Sequence, residues 1–442
     1  MTFSRLIPAL LCVVVVGALG GENWPQWRGP AFNGSSNETG LPATFSKTEN
    51  VVWTAPMPGL SGATPAIWDD KVFVSSADAK NKDLLAICIN RKDGKELWRN
   101  VVAPSADYRP QNGRNNMASP SPITDGKLVI FFYGTGDLAA FDMDGKELWK
   151  RSLAKDFGKF AIMWGYGSSG LLYKDKLYIP VLQRDKNVYS PGADKTASVD
   201  SYLLAMDPKT GKDLWKVARA CDGVEETREW YGTPMPLATK DRSELILIGG
   251  DNVTAHDPET GKELWRFGGW NPTKVNHVRL VPSAAAYDGL VYVATPKHMF
   301  PFFALKGGGS GDITSAGPAW TLDKGMSPDV CTPLVYKDLL YVFDGDGAKR
   351  MLRCIDPKTG ALKWEGQIPG KVTFWASAHA ADGKIYCIDE ASNVTVAQAG
   401  PEGFKVLHTT NLGDTKCFAS IAIAQKQIFI RTGENLYCIG SK

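Results

Sequence analysis

From Asn50 onward the chain alternates short apolar runs with tight polar breaks. Leu128 to Phe132 is a hydrophobic run. Asp125-Gly126-Lys127 precedes it, Asp137 to Asp142 follows, and Lys146 to Trp149 closes the group. The preceding Ala118-Ser119-Pro120-Ser121-Pro122-Ile123 is built from small residues. Runs this short, bounded by Gly, Pro and Asp, are strands joined by turns. Alternation within each run is weak, which predicts sheets covered on both faces.

The group repeats. Asp207-Pro208-Lys209-Thr210-Gly211-Lys212-Asp213-Leu214-Trp215 recurs as Asp257 to Trp265 and Asp356 to Trp364, with looser copies at Asn90 to Trp98 and Asp142 to Trp149. Each copy reads as a hairpin. The Asp carboxylate bonds backbone N–H groups in the turn, Gly takes positive φ, and a short strand ends in Trp. Repetition every 40–50 residues or so is the signature of stacked units. First strands begin near Ala63, Ala118, Gly167, Gly232, Val281, Cys331, Trp375 and Phe418, so the copies number eight. The last copy ends at Cys438-Ile439-Gly440 without a fourth strand, while Asn50-Val51-Val52-Trp53 precedes the first copy. That predicts an all-β, eight-bladed β-propeller in which the N-terminal strand closes the last blade and leaves no long free edge. The repeated Trp residues are expected to pack between blades, outside any functional site.

Ahead of the repeats, Arg5 and the apolar run Leu6 to Leu19 lead to Ala18-x-Gly20, the pattern of a secretory signal peptide over residues 1–20. The run is shorter than the roughly 20 residues a membrane span needs. The chain is therefore expected to be periplasmic or secreted and not membrane-spanning. Residues 21–49 are rich in Gly, Pro, Asn and Ser but carry Trp24, Trp27 and Phe32, and are expected to form an irregular arm whose aromatics pack on the propeller of residues 50–442. Cys88, Cys354 and Cys438 share one repeat position with Ala140, Ala205 and Ala255 and are expected to be buried thiols. The formal charge is only +3, and no basic block interleaves with aromatics, which argues against a nucleic-acid partner.

The pattern Ala/Cys-x-Asp-x-x-Thr-Gly-x-x-x-Trp, as in Ala205 to Trp215, resembles the repeat of the PQQ-type, quinoprotein-like eight-bladed propellers. The lead-in Asn23-Trp24-Pro25-Gln26-Trp27-Arg28-Gly29-Pro30 resembles exported PQQ-like repeat proteins of bacteria. The resemblance implies a fold and leaves activity open. Its members include PQQ-dependent alcohol dehydrogenases, with an adjacent Cys-Cys disulfide, a Ca²⁺ held by Glu and Asn, and an Asp base. They also include non-catalytic members such as the assembly scaffold BamB. This chain has no Cys-Cys pair, so the resemblance leans to the BamB-like side.

Other chemistry finds little support. Asp344-Gly345-Asp346-Gly347 lacks the later ligands of a Ca²⁺ loop and reads as a turn. Gly307-Gly308-Gly309-Ser310-Gly311 reads as a flexible loop, and the His residues show no metal spacing. The segments leading into the first strands are richer. They carry Arg114 and Asn116 before blade two, Trp164 and Tyr166 before blade three, and Glu229, Trp230 and Tyr231 before blade four. His277 and Arg279 precede blade five, Asp329 precedes blade six, and Trp375 opens blade seven. All these ends converge on one mouth of the central channel, where aromatics, Arg and carboxylates suit a protein or carbohydrate partner. The expectation is a monomeric, non-catalytic binding or scaffold module with no cofactor. The alternatives are a quinoprotein oxidoreductase with a diverged PQQ and Ca²⁺ site, or a hydrolase or lyase using Glu229 or Asp329.

Overall fold

A computed structural model of the protein describes residues 21–105, 115–190, 192–296 and 299–441. The signal-peptide reading of residues 1–20 and the Arg114 assignment fall outside them. Eight sheets are present, each antiparallel within its repeat. In blade one the strands Ala66–Trp68, Lys71–Asp78, Asp83–Asn90 and Glu96–Pro104 run outward in chain order. The other blades follow the same order. First strands of neighbouring blades lie side by side, and Ala66–Trp68 meets both Ile123–Thr124 of blade two and Ala422–Ala424 of blade eight. The ring is therefore shut, with eight short first strands around a channel. Val51–Pro56 is the outer strand of blade eight, paired from Val51↔Ile439 to Pro56↔Asn435, as the repeat count requires.

The Asp-Gly-Trp pattern joins one blade to the next. The Asp257 carboxylate accepts the N–H groups of Glu259 at 2.8 Å and Thr260 at 2.9 Å. Gly211 and Gly261 adopt φ of 70° and 75°, and the Trp of the preceding blade lies against each. A Cβ on Gly211 would stand 2.7 Å from the Trp149 ring, so Gly is required both for its backbone and for space. The indole N–H then reaches into that turn: Trp53 donates to Arg91 O at 2.7 Å, Trp149 to Pro208 O at 2.8 Å and Trp320 to Pro357 O at 3.0 Å. Opposite each ring the chain carries a small residue, in the pairs Cys88↔Trp98, Ala205↔Trp215, Cys354↔Trp364 and Cys438↔Trp53. Burial pushes the Cys88 and Cys438 thiols up to about 12, which leaves them as inert core groups.

One expectation is corrected. The Gly307 to Gly311 stretch is not a loose loop, because Gly311–Asp312 pairs in parallel with blade four through Trp265↔Gly311 and Arg266↔Asp312. Arg242 holds the loop by donating to Gly309 O. The insert gives blade four a fifth strand and covers Trp265, which is fully buried where Trp215 is only half-buried.

The arm packs on the ring as its aromatics require, and it does so at the turn ends of the first strands. Trp24 is fully buried and exchanges backbone hydrogen bonds with Ile67 of blade one at 2.8 and 3.0 Å. Pro25 O accepts from Thr124 N in blade two, Phe32 stands edge-on to Tyr173 of blade three, and Ser35 bridges to Ala380 of blade seven. The Arg28 guanidinium is buried among carbonyls, donating to Asn33 O at 2.8 Å and Pro333 O at 2.6 Å. Contacts to blades one, two, three, six and seven carry the arm across that end of the ring.

Two buried histidines give the fold an acid limit. His256 lies between Gly261 O at 2.9 Å and Thr254 Oγ1 at 3.0 Å, and burial lowers its pKa from 6.5 to about 4. His379 packs on Trp24 with ring centroids 4.9 Å apart and is held well below its usual value by burial. Depressed folded-state values mean that the stability they contribute is fully present above about pH 6.5 and is lost as pH falls below it, down to about 4 for His256. The unfolding free energy should fall across that window by up to about 1.4 kcal/mol per pH unit per histidine, and the melting temperature with it. A His256→Gln variant melted across the same pH range should show a shallower fall; an identical slope would remove His256 from this account.

Candidate functional site

With the arm across one end, the channel becomes a cavity of about 420 Å³ that opens where the segments before the first strands converge. Trp27 of the arm lines it together with Asn115, Trp164, Tyr231, Arg279, Asp329 and Trp375. Trp164 precedes blade three and Trp375 opens blade seven, four blades apart in a ring of eight, so the two indoles belong to opposite walls. Each is fixed by a carboxylate: Trp164 Nε1–H donates to Glu226 Oε1 at 2.9 Å, and Trp375 Nε1–H to Glu390 Oε2 at 2.8 Å. Arg279 forms a two-pronged pair with Asp329, at 3.0 and 3.3 Å. Burial acts to lower Arg279, and the Asp329 charge overrides it, so the guanidinium pKa is raised. Asn115 Nδ2 pins the Trp164 loop through the carbonyls of Trp164, at 3.0 Å, and Gly165, at 2.8 Å.

Glu229 belongs to the layer beneath. It is fully buried, accepts from Arg184 Nε at 2.5 Å and from Met163 N at 3.2 Å, and accepts a hydrogen bond from the Tyr231 hydroxyl on its other oxygen. Burial raises its pKa against the opposing pull of Tyr231 and Arg184. It holds Tyr231 and the Trp164 loop and is not among the residues that line the cavity.

Of the residues expected at the mouth, the cavity brings together Trp164, Tyr231, Arg279, Asp329 and Trp375. Trp230 and Tyr166 are corrections. Trp230 is buried, donating to Pro282 O at 2.9 Å, because successive residues of an extended segment point to opposite sides and Tyr231 takes the lumen side. Tyr166 is buried against Phe132 and Phe160, with centroids 5.0 and 4.7 Å away, after Gly165 turns the chain. Asn116 caps its own loop, accepting from Ala118 N at 2.9 Å, and leaves the lining position to Asn115. His277 is exposed beyond the lining residues.

Below the aromatics runs a girdle of hydroxyls that the repeats place at one level. Ser121 Oγ accepts from Thr64 N, Ser169 Oγ from Ser121 N, Thr332 Oγ1 from Ser283 N, Ser377 Oγ from Thr332 N and Ser420 Oγ from Ser377 N, all at 2.9–3.0 Å. Each bond ties one first strand to its neighbour. The sequence signal was the Ser or Thr recurring in small-residue first strands. Glu226 and Trp27, by contrast, left no signal of a role at the site.

The family model described as outer membrane protein assembly factor BamB matches residues 36–189, 199–376 and 251–439. The chain belongs to this BamB-type family. Its fold is also that of solved propellers with little sequence in common. BamB from Moraxella catarrhalis superposes with a TM-score of 0.59 at 13% identity, covering 88% of this chain and 99% of that one. A europium-containing methanol dehydrogenase gives 0.65 at 12%, covering 95% and 98%. The quinohemoprotein alcohol dehydrogenase from Comamonas testosteroni gives 0.63 at 14%, covering 95% and 81%. These likenesses establish the propeller fold alone. No curated protein matches at a significant level.

Proposed function

We propose that this BamB-type propeller is an exported, non-catalytic binding module that engages a protein or carbohydrate partner at the open mouth of its channel. The observation that carries the reading is the cavity of about 420 Å³ with Trp164 and Trp375 on opposite walls and Trp27 among its lining residues. Its size lies within the roughly 300–1,000 Å³ of small-molecule sites. Aromatic rings held in place by carboxylates are preorganised contact surface, which lowers the entropy lost on binding. No helix among the described residues is long and apolar enough to cross a membrane.

The alternative, a PQQ-dependent oxidoreductase, draws on the quinoprotein neighbours. The donor set speaks against it. Asp329 is committed to Arg279, Glu229 to Arg184 and Tyr231, Glu226 to Trp164 and Glu390 to Trp375. Among the described residues no group of three His, Cys, Asp or Glu side chains is arranged to hold a cation. The residues present do not fit a calcium-bound quinone.

Two measurements test the reading. In an alcohol-dependent dye-reduction assay with PQQ and Ca²⁺, the purified chain should be inactive; turnover would overturn the non-catalytic assignment. In a binding titration with oligosaccharides and peptides followed by Trp fluorescence, Trp164→Ala should weaken any observed binding at least tenfold. That is the loss of a partner-facing aromatic worth about 1.4 kcal/mol or more. Lys127→Ala, on a turn at the arm-covered end, should leave it unchanged; the reverse ranking would put the functional surface on the wrong face.

A further inference from the structure

The hydroxyl girdle has a one-sided hydrogen-bond ledger. Ser121, Ser169, Thr332, Ser377 and Ser420 line the cavity and accept from a neighbouring backbone N–H, yet none of their O–H groups donates to any described residue. Thr233, also on the lining and only 5% exposed, goes further: among the described residues its hydroxyl neither accepts nor donates, while its N–H is satisfied by Ser283 Oγ at 2.7 Å. A hydroxyl carries one donor and two acceptor sites, and all six of these residues line the cavity, where an occupant can meet the unused ones. Six such groups at one level of the cavity therefore offer a ring of unspent donors to whatever fills it.

The charges decide what that occupant is. The charged groups among the described lining residues are Glu226, Arg279 and Asp329, and each is already engaged, Glu226 with Trp164 and Arg279 with Asp329. An anionic ligand would find no described lining cation free to pair with it, and a cationic one would face a ring of hydroxyl donors. An uncharged ring bearing many oxygens suits both layers. Its oxygens take the girdle's protons, and its C–H faces lie on Trp164, Trp375 and Trp27. Resting on the binding reading of the mouth, we propose that the girdle is the seat of an uncharged sugar ring, the end residue of a neutral glycan that enters from the open side.

Thr233→Val is the clean probe, because valine keeps the shape and removes a hydroxyl with no partner among the described residues. Calorimetric titrations of the full chain with neutral hexasaccharides (cellohexaose, xylohexaose, mannohexaose), with hexagalacturonate, and with PQQ plus Ca²⁺ separate the possibilities. At least one neutral oligosaccharide should bind, and Thr233→Val should weaken it roughly 3- to 10-fold, the value of one hydrogen bond, with no fall in melting temperature. Neutral binding indifferent to Thr233→Val would overturn the girdle as the seat. Binding of hexagalacturonate or the quinone without the neutral sugars would overturn the uncharged ligand while leaving the mouth a binding site. Binding by none of the oligosaccharides would overturn the sugar proposal alone, since the non-catalytic reading is judged separately by dye reduction.

Discussion

Replacing Val51–Pro56 by a Gly-Ser linker of equal length will unfold the propeller or lower its melting temperature by ten degrees or more. The linker keeps the arm attached, so the effect isolates ring closure. The native strand pairs along its length with Asn435–Ile439, whose Leu436, Cys438 and Ile439 are buried. Without it that edge lies open, and edges of this kind invite pairing with other chains. The substitution also removes Trp53, which is 8% exposed, covers Gly94 and donates to Arg91 O, joining blade eight to blade one. Truncating one large buried aromatic costs ~3–5 kcal/mol, already a large share of the ~5–15 kcal/mol that holds a domain together. Several ladder hydrogen bonds are lost as well. Thermal melting followed by circular dichroism reads the outcome. A linker variant that melts within a degree or two of the parent would show that the ring does not depend on this strand.

The closing strand was legible because counting suffices: a repeat lacking its fourth strand at one end and a spare Trp strand at the other leave one arrangement. The blade turns were legible for a local reason. Asp257, Gly261 and Trp265 hold positions dictated by one turn and its neighbour, so the pattern survives in sequence. The mouth was legible only as a set of segments. That Tyr231 faces the cavity and Trp230 the core depends on which side of an extended segment lies inward, which two adjacent aromatics do not reveal. Glu226 and Glu390 hold Trp164 and Trp375 across loops 62 and 15 residues apart in sequence, a relation that only the fold creates. Trp27 is further still from its site partners along the chain, and reaches the cavity because the arm crosses the channel end.

The insert that escaped the sequence reading sets up the second large effect. Trp265→Ala should cost ~3–5 kcal/mol, the range for a large aromatic removed from a core. Trp265 is fully buried under the added strand Gly311–Asp312, and its indole N–H donates to Glu244 Oε2 at 2.9 Å. Glu244 is itself fully buried, with Arg242 on its other oxygen and the Gly308 N–H at 3.2 Å. The alanine variant therefore opens a cavity and strips a donor from a buried carboxylate, two costs that add. Trp215→Ala should cost less, roughly 1–3 kcal/mol, because that ring is half-buried and its indole nitrogen makes no hydrogen bond. Trp265→Phe separates the two contributions at the buried site, since it keeps most of the apolar contact and loses only the donor. Urea unfolding of the three variants gives the ranking. If Trp215→Ala proved as damaging as Trp265→Ala, the fifth strand would contribute nothing, and the Gly307 to Gly311 stretch would be the loose loop that its composition suggests.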